Sequence, residues 1–343
     1  MSEVHVAVDA HNLARDDRGI GRYARAVLAR AVHDPRFRWT FVVRDLFPKR
    51  AAVARALGAA ANGVRVARRV PPDAGVVWFP WNGIFLRTDL PAVATVHDAA
   101  PFAFPAADPR TRAREQNPFL RTANTARKIL VQSNFTAGEV ERRLGVDPER
   151  VVVTPLAADA AFTPGAPERL PDALRGRRYV LHVGAHDERK NSATLIEGFA
   201  RAFPDGDVTL AFTRRPPVLA RGSVAVDARD DAVLVSLYRG AALVAVPSTY
   251  EGFGFPLLEA LACGAPVLAA RAGALPEVGG DAAAWIDDAT DADAWAAALR
   301  VLLADDARRA ELAARGPVRA ATFSWERCTA QTLAVLHEVA NGG

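Results

Sequence analysis

Short runs of apolar, β-branched residues recur along this chain, and most are followed by a stretch with helical periodicity. That alternation is the mark of βαβ units, which build parallel sheets covered by helices on both faces. Strands are expected at Val4–Val8, Trp39–Val43, Val76–Phe79, Ala92–Val96, Ile129–Gln132 and Val151–Val153. A second series is expected at Tyr179–Val183, Asp207–Phe212, Ser223–Val226, Ala242–Pro247 and Pro266–Ala269. Helical spacing covers Gly21–His33, Thr111–Ala126, Asn134–Leu144, Ser192–Phe203, Pro256–Cys263 and Ala292–Leu303.

At 343 residues the chain suits two α/β domains of about 150 residues each rather than one. Pro155, Pro164, Pro167 and Pro171, with Gly165 and Gly176, interrupt regular structure between the two series. They predict a linker over 161–177, between an N-terminal domain 1–160 and a C-terminal domain 178–324. A second break is expected near Gly316–Pro317, before an amphipathic helix over 325–340.

No apolar run reaches the roughly 18 residues of a membrane span, and Met1–Ala10 lacks the layout of an export signal. Two cysteines, Cys263 and Cys328, support neither a disulfide framework nor a thiolate metal site. A soluble cytoplasmic protein is expected. Residues 1–160 carry 24 Lys and Arg against 16 Asp and Glu, a net of +8. Residues 161–343 carry 19 against 23, a net of −4. The basic half fits an anionic partner such as a lipid surface, phosphorylated acceptor or nucleic acid, and equally an arginine-rich solvated face.

In open α/β sheets ligands bind beyond the carboxyl ends of the strands, so residues just after strands carry the functional argument. After the strand ending at Pro247 comes Ser248-Thr249-Tyr250-Glu251-Gly252-Phe253-Gly254-Phe255, then a short helix with Glu259 about one turn in. Gly252 and Gly254 let backbone N–H groups approach a ligand, and the helix N-terminus favours phosphate. Glu251 and Glu259 are suited to accept pairs of sugar hydroxyls. A glutamate early in a helix and a glycine loop are each ordinary; together on one strand–loop–helix they favour a site. After Tyr179–Val183 comes Gly184-Ala185-His186-Asp187-Glu188-Arg189-Lys190-Asn191. Two adjacent cations before a helix oppose its dipole and so need a reason; neutralising a diphosphate is one. Lysine is rare here (Lys49, Lys128, Lys190), which adds weight to Lys190.

The stretch Glu251–Glu259 resembles the E-x7-E signature of family 4 glycosyltransferases, with matching flanks at Leu237-Tyr238-Arg239 and Ala274-Leu275-Pro276-Glu277-Val278. The resemblance implies a retaining, metal-independent hexosyltransferase of the GT-B class: two Rossmann-like domains with parallel sheets facing across a cleft. It implies that Glu251 holds donor-sugar hydroxyls, Glu259 the ribose, and Arg189 and Lys190 the diphosphate. Ser248, Gly184, Gly252, Phe253, Gly254 and Phe255 would complete the donor site. Many relatives carry an arginine where this chain has Ala185, a role open to Arg189. His97-Asp98, after Ala92–Val96, resembles the family's V-H-D-x-x-P element, whose histidine faces the donor sugar; Asp98 suits a turn cap. Gly19-Ile20-Gly21-Arg22-Tyr23 resembles a family loop near the donor phosphate and the acceptor.

The implied donor is a GDP- or UDP-sugar of mannose, rhamnose or glucose type, used as substrate with no cofactor. The acceptor would be a glycan, a lipid-linked sugar or a natural product, met at the inner face of an anionic membrane, with no nucleic acid involved. Gly19-x-Gly21-x-x-Ala24 with Asp45 also fits a dinucleotide fingerprint, which leaves an NAD-dependent oxidoreductase as a rival, though Asp9–Arg18 separates it from its strand. An epimerase or phosphorylase of the same architecture is another. Asp205–Asp207 and Asp291–Asp293 match D-x-D, but they read as a turn and a helix cap.

Overall fold

The computed structural model describes residues 3–16, 19–45, 50–58 and 64–342; Lys49 lies outside them. The chain divides into two compact units, one holding residues up to Leu156 together with Ser324 onward, the other Ala157–Phe323.

The first unit holds β1 (Val4–Asp9), β2 (Phe37–Val42), β3 (Arg65–Ala67), β4 (Val76–Asn82), β5 (Ala92–Thr95), β6 (Lys128–Val131) and β7 (Val151–Val153). All pairings are parallel, in the order 3-2-1-4-5-6-7. Its helices are α1 (Gly19–Ala31), α2 (Arg50–Ala56), α3 (Ala100–Ala103), α4 (Pro109–Thr125) and α5 (Asn134–Leu144). Every residue of β1 is buried, as a central strand covered on both faces requires. Phe79, Ile129, Val131, Phe119 and Val140 form much of its core.

The second unit repeats the plan with β8 (Tyr179–His182), β9 (Thr209–Phe212), β10 (Ser223–Ala225), β11 (Leu243–Val246), β12 (Val267–Ala270) and β13 (Ala284–Ile286), parallel in the order 10-9-8-11-12-13. Its helices are α6 (Ser192–Ala202), α7 (Asp231–Gly240), α8 (Phe255–Ala262), α9 (Leu275–Gly279), α10 (Ala292–Ala304) and α11 (Asp306–Ala320). Phe199, Phe212, Trp295 and Leu299 lead its core. The last helix, α12 (Trp325–Ala340), counts with the first unit. Arg30 of α1 meets its Glu326 at 2.9 Å, Lys128 of β6 meets its Glu338 at 3.0 Å, and Cys328 is wholly buried.

Three expectations need correction. Residues 157–177 pack on the second unit: Arg239 bonds the Thr163 carbonyl at 2.8 Å, and Phe162 and Leu174 are buried. The helix expected from Gly21 starts two residues earlier, so the Gly19–Gly21 segment that the family resemblance implies to be a loop is the first turn of α1; a Cβ on Gly21 would sit 1.8 Å from the Asp16 carbonyl oxygen. Gly316 and Pro317 lie inside α11, and the chain turns at Ala321–Phe323 instead. The pair of breakers is overridden by packing: α11 lies so close on α8 that a Cβ at Gly316 would meet the Leu261 carbonyl oxygen at 2.7 Å.

Gly316→Ala should therefore lower stability by about 1–3 kcal/mol through overpacking, against a gain of about 1 kcal/mol in helix propensity. Denaturant unfolding gives the sign; a stabilised variant would show that the α8–α11 approach is not tight.

Candidate active site

In each sheet the strand order reverses at one place, and crevices beyond the carboxyl ends of the strands open at such places. In the second unit that place is β8 beside β11. The chain leaving β8 turns at Gly184, whose N–H donates to Thr213 Oγ1 at 3.2 Å. Asp187 then caps a 3-10 turn over Glu188–Lys190. Asn191 follows in the left-handed region at φ 49°, the one non-glycine residue with positive φ among those described. Its side chain explains the conformation: Nδ2 donates to the carbonyls of Pro247 (3.2 Å) and Ala289 (2.6 Å), and Oδ1 accepts from Thr194 (2.6 Å). Thr249 N–H donates to the Arg189 carbonyl at 2.8 Å. These bonds lace the loop after β8 to the loop after β11. The two cations precede the start of α6 at Ser192 rather than sitting within its first turn.

That lacing brings Lys190 to Glu251. Nζ donates to Glu251 Oε1 at 2.6 Å, and Ser248 Oγ donates to the same oxygen at 2.8 Å. Arg189 Nη1 stands 3.9 Å from the other oxygen, Oε2, and its Nε lies 3.6 Å from Asp187. Glu251 is only 6% exposed. Burial pushes its carboxyl up, but the charges of Lys190 and Arg189 and the two hydrogen bonds outweigh that and hold it below the usual range. Glu251 is a carboxylate at neutral pH, and a group that accepts.

The backbone around Glu251 is close-packed. Gly273 adopts φ 58° with its ideal Cβ position 2.6 Å from Glu251 N, and Ala274 N–H donates to the Glu251 carbonyl at 2.9 Å. Gly254 is the N-cap of α8 at φ 104°, a conformation that favours glycine. The helix starts at Phe255, one residue earlier than expected, with Pro256 still in its first turn. Phe253 packs its ring edge-on against Phe255 and Phe323, which leaves its backbone as the part that the expected donor role would use. Glu259 is buried on α8 and accepts from Tyr238 Oη at 2.9 Å. In the sequence Tyr238 of α7 stands only as a flank of the signature. Its role in orienting a carboxylate 21 residues away needed the fold.

In the first unit the order reverses between β1 and β4. There Trp81 Nε1 donates to the Asp9 carbonyl at 2.7 Å. His97 is buried, its N–H donating to Asn82 Oδ1 at 2.8 Å and its Nε2–H to the Pro80 carbonyl at 2.9 Å. Burial lowers its pKa, so the ring is neutral with Nδ1 as its acceptor nitrogen. Tyr23 of α1 packs edge-on against it with centroids 4.9 Å apart, which ties the Gly19–Gly21 helix start to His97. Asp98 caps the next turn, accepting from Ala100 N–H at 3.1 Å.

The dinucleotide geometry is absent. Gly19 begins α1 well after β1 ends at Asp9, and Asp45 is held by Arg15 at 2.6 Å. Asp205–Asp207 leads through a turn into β9, and Asp291 caps α10. Among the described residues no three His, Cys, Asp or Glu side chains gather as a metal site.

Two family descriptions match the chain: "Glycosyltransferase Family 4" over residues 3–162 and "Glycosyl transferases group 1" over residues 226–319. The O-antigen chain mannosyltransferase B of Escherichia coli is 33% identical over 71% of this chain and 69% of its own. The D-inositol 3-phosphate glycosyltransferase of Kineococcus radiotolerans is 30% identical over 73% of this chain and 66% of its own. Among solved structures, sucrose-phosphate synthase from Thermosynechococcus elongatus superposes with a TM-score of 0.74 at 18% identity, covering 99% of this chain and 100% of that one. Two parallel-sheet α/β domains with such neighbours make the GT-B fold. With that fold, both family matches and a relative aligned over most of its length, the chain belongs to glycosyltransferase family 4.

Proposed function

We propose that this glycosyltransferase moves a hexose from a nucleoside diphosphate sugar to a glycan or lipid-linked acceptor, with retention and without a metal ion. The observation that carries the reading is the Lys190–Glu251 pair at the switch point of the second sheet, with Ser248 on the same carboxylate oxygen. Glu251, ionised and fixed, accepts hydrogen bonds from sugar hydroxyls. The Lys190 ammonium has three donors and gives one to Glu251, which leaves two for diphosphate oxygens. Arg189 adds a second cation beside it. Glu259, oriented by Tyr238, accepts from the ribose.

In transfer the bond from the anomeric carbon to the diphosphate oxygen breaks on the face where the acceptor oxygen forms its new bond. The departing diphosphate oxygen takes the acceptor's proton. Lys190 and Arg189 neutralise the charge that develops on that leaving group, the main electrostatic demand of the reaction. His97, neutral with Nε2–H engaged by Pro80, keeps Nδ1 as an acceptor nitrogen and does not act as an acid.

The relatives' printed names support a mannose-type donor and a polysaccharide or phosphorylated polyol acceptor. The basic first half supports docking on an anionic membrane surface. No described helix is long and apolar enough to cross one.

Glu251→Gln and Lys190→Met should each lower kcat/KM by about 100-fold or more; unchanged kinetics in either would remove that residue from the site. A thermal-shift panel of UDP, GDP, ADP, TDP and NAD should raise Tm with one sugar-donor diphosphate and not with NAD, since a ligand of the folded state alone stabilises it. NMR of the transfer product formed in EDTA should show the donor's anomeric configuration kept. Inversion, or loss of activity in EDTA, would overturn the retaining or metal-free reading, and donor isomerised without transfer would indicate an epimerase.

A further inference from the structure

At the edge of the first sheet, β3 and the chain after it frame a concavity of about 580 Å³ lined by Arg44, Arg65, Arg68, Arg69, Pro71 and Asp73. Its volume falls in the range of small-molecule sites, roughly 300–1,000 Å³. Arg65 lies on β3 opposite Thr40 of β2, Arg68 and Arg69 follow β3, and Arg44 follows β2. The fold thus sets four arginines around one hollow. Pro71 and Pro72 stiffen its far wall by fixing φ.

The charge there is unbalanced. Asp73 is the one carboxylate in the lining, and it is already engaged by Arg38 and His5, each at 3.2 Å. Arg44 comes no nearer than 3.9 Å to Asp9. The side chains of Arg65, Arg68 and Arg69 have no hydrogen bond or ion pair among the described residues. Elsewhere on the surface arginines do meet carboxylates: Arg36 with Asp34 at 2.6 Å, Arg201 with Asp293 at 2.6 Å, Arg271 with Asp287 at 2.6 Å. Four like charges converging on one concavity repel one another unless an anion lies between them. A planar guanidinium fork matches phosphate oxygens in pairs, so phosphate is the anion these groups recognise best.

We propose that this concavity binds a phosphoryl group, as a phosphomonoester or diphosphate. Resting on the transfer reading, the ligand is a phosphorylated acceptor, held by its phosphate in the first unit. The same chemistry is offered by a soluble sugar phosphate and by a lipid phosphate.

The test is titration calorimetry of the full chain with inorganic pyrophosphate, in a Lys190→Met/Glu251→Gln background so that the donor-site cation does not contribute. Adding R65S/R68S/R69S, all exposed positions, should weaken binding by about tenfold or more. Equal affinity with and without the three arginines would overturn the proposal. Co-sedimentation with vesicles of phosphatidic acid in phosphatidylcholine separates the sources. Binding of pyrophosphate and vesicles assigns a lipid phosphate, and binding of pyrophosphate alone a soluble one. Binding of vesicles without pyrophosphate overturns the site in favour of a diffuse membrane face. With Lys190 and Glu251 intact, R65S/R68S/R69S should bind the preferred donor nucleotide as wild type does; a tenfold loss there would overturn the separateness of the two sites. If no form of the protein binds a nucleotide, the donor reading fails while the pyrophosphate result stands.

Discussion

Two opposite charges meet almost out of reach of water where β8 and β11 part company. Lys190 Nζ lies 2.6 Å from Glu251 Oε1, and both side chains are nearly covered. Burying either charge alone is expensive, and removing one partner of such a pair commonly costs about 3–5 kcal/mol. The pair therefore holds each member ionised and in place, and it requires that the loops carrying them stay together. Asn191, Thr249 and Gly273 meet that requirement through backbone bonds and close approach. What results is a carboxylate and an ammonium fixed side by side before any ligand arrives, the preorganisation that electrostatic catalysis needs.

Much of this was legible in sequence because the relevant signals are local. Parallel strands covered on both faces read as apolar runs, and β7 and α5 fell where the pattern put them. Glu251, Glu259, Arg189 and Lys190 stood out because each follows a strand, where an α/β sheet keeps its ligands. Their mutual contact was not legible: 61 residues separate Lys190 from Glu251, and only the neighbouring of β8 and β11 joins them.

The misses share a cause, which is tertiary packing prevailing over local propensity. Gly316–Pro317 has the composition of a break, yet α8 takes advantage of the missing Cβ and the helix runs on. Gly19–Gly21 is a loop by family resemblance, though helical spacing begins at Gly21, and it is a helix start because Gly21 fits against the Asp16 carbonyl and Tyr23 is drawn into the core beside His97. The edge strand β3, Arg65-Val66-Ala67, carries too few apolar positions to register as a pattern, and the apolar β13, Ala284-Trp285-Ile286, is absent from the expected series. Tyr238 and Asn191 act at a distance in sequence, Tyr238 through one hydrogen bond to Glu259 and Asn191 through two to the carbonyls of Pro247 and Ala289, none of which a spacing rule anticipates. The basic character of the first half was visible as a number, but its concentration around one hollow beside β3 depended on the sheet order.

The central claim is that Lys190 and Glu251 work as one unit. A double-mutant cycle on kcat/KM for transfer, using Lys190→Met, Glu251→Gln and their combination, tests it most directly. Coupled residues should show an interaction free energy of about 0.5–3 kcal/mol, the combination being little worse than the worse single change. If the two losses simply multiply, the residues act independently and the account is wrong.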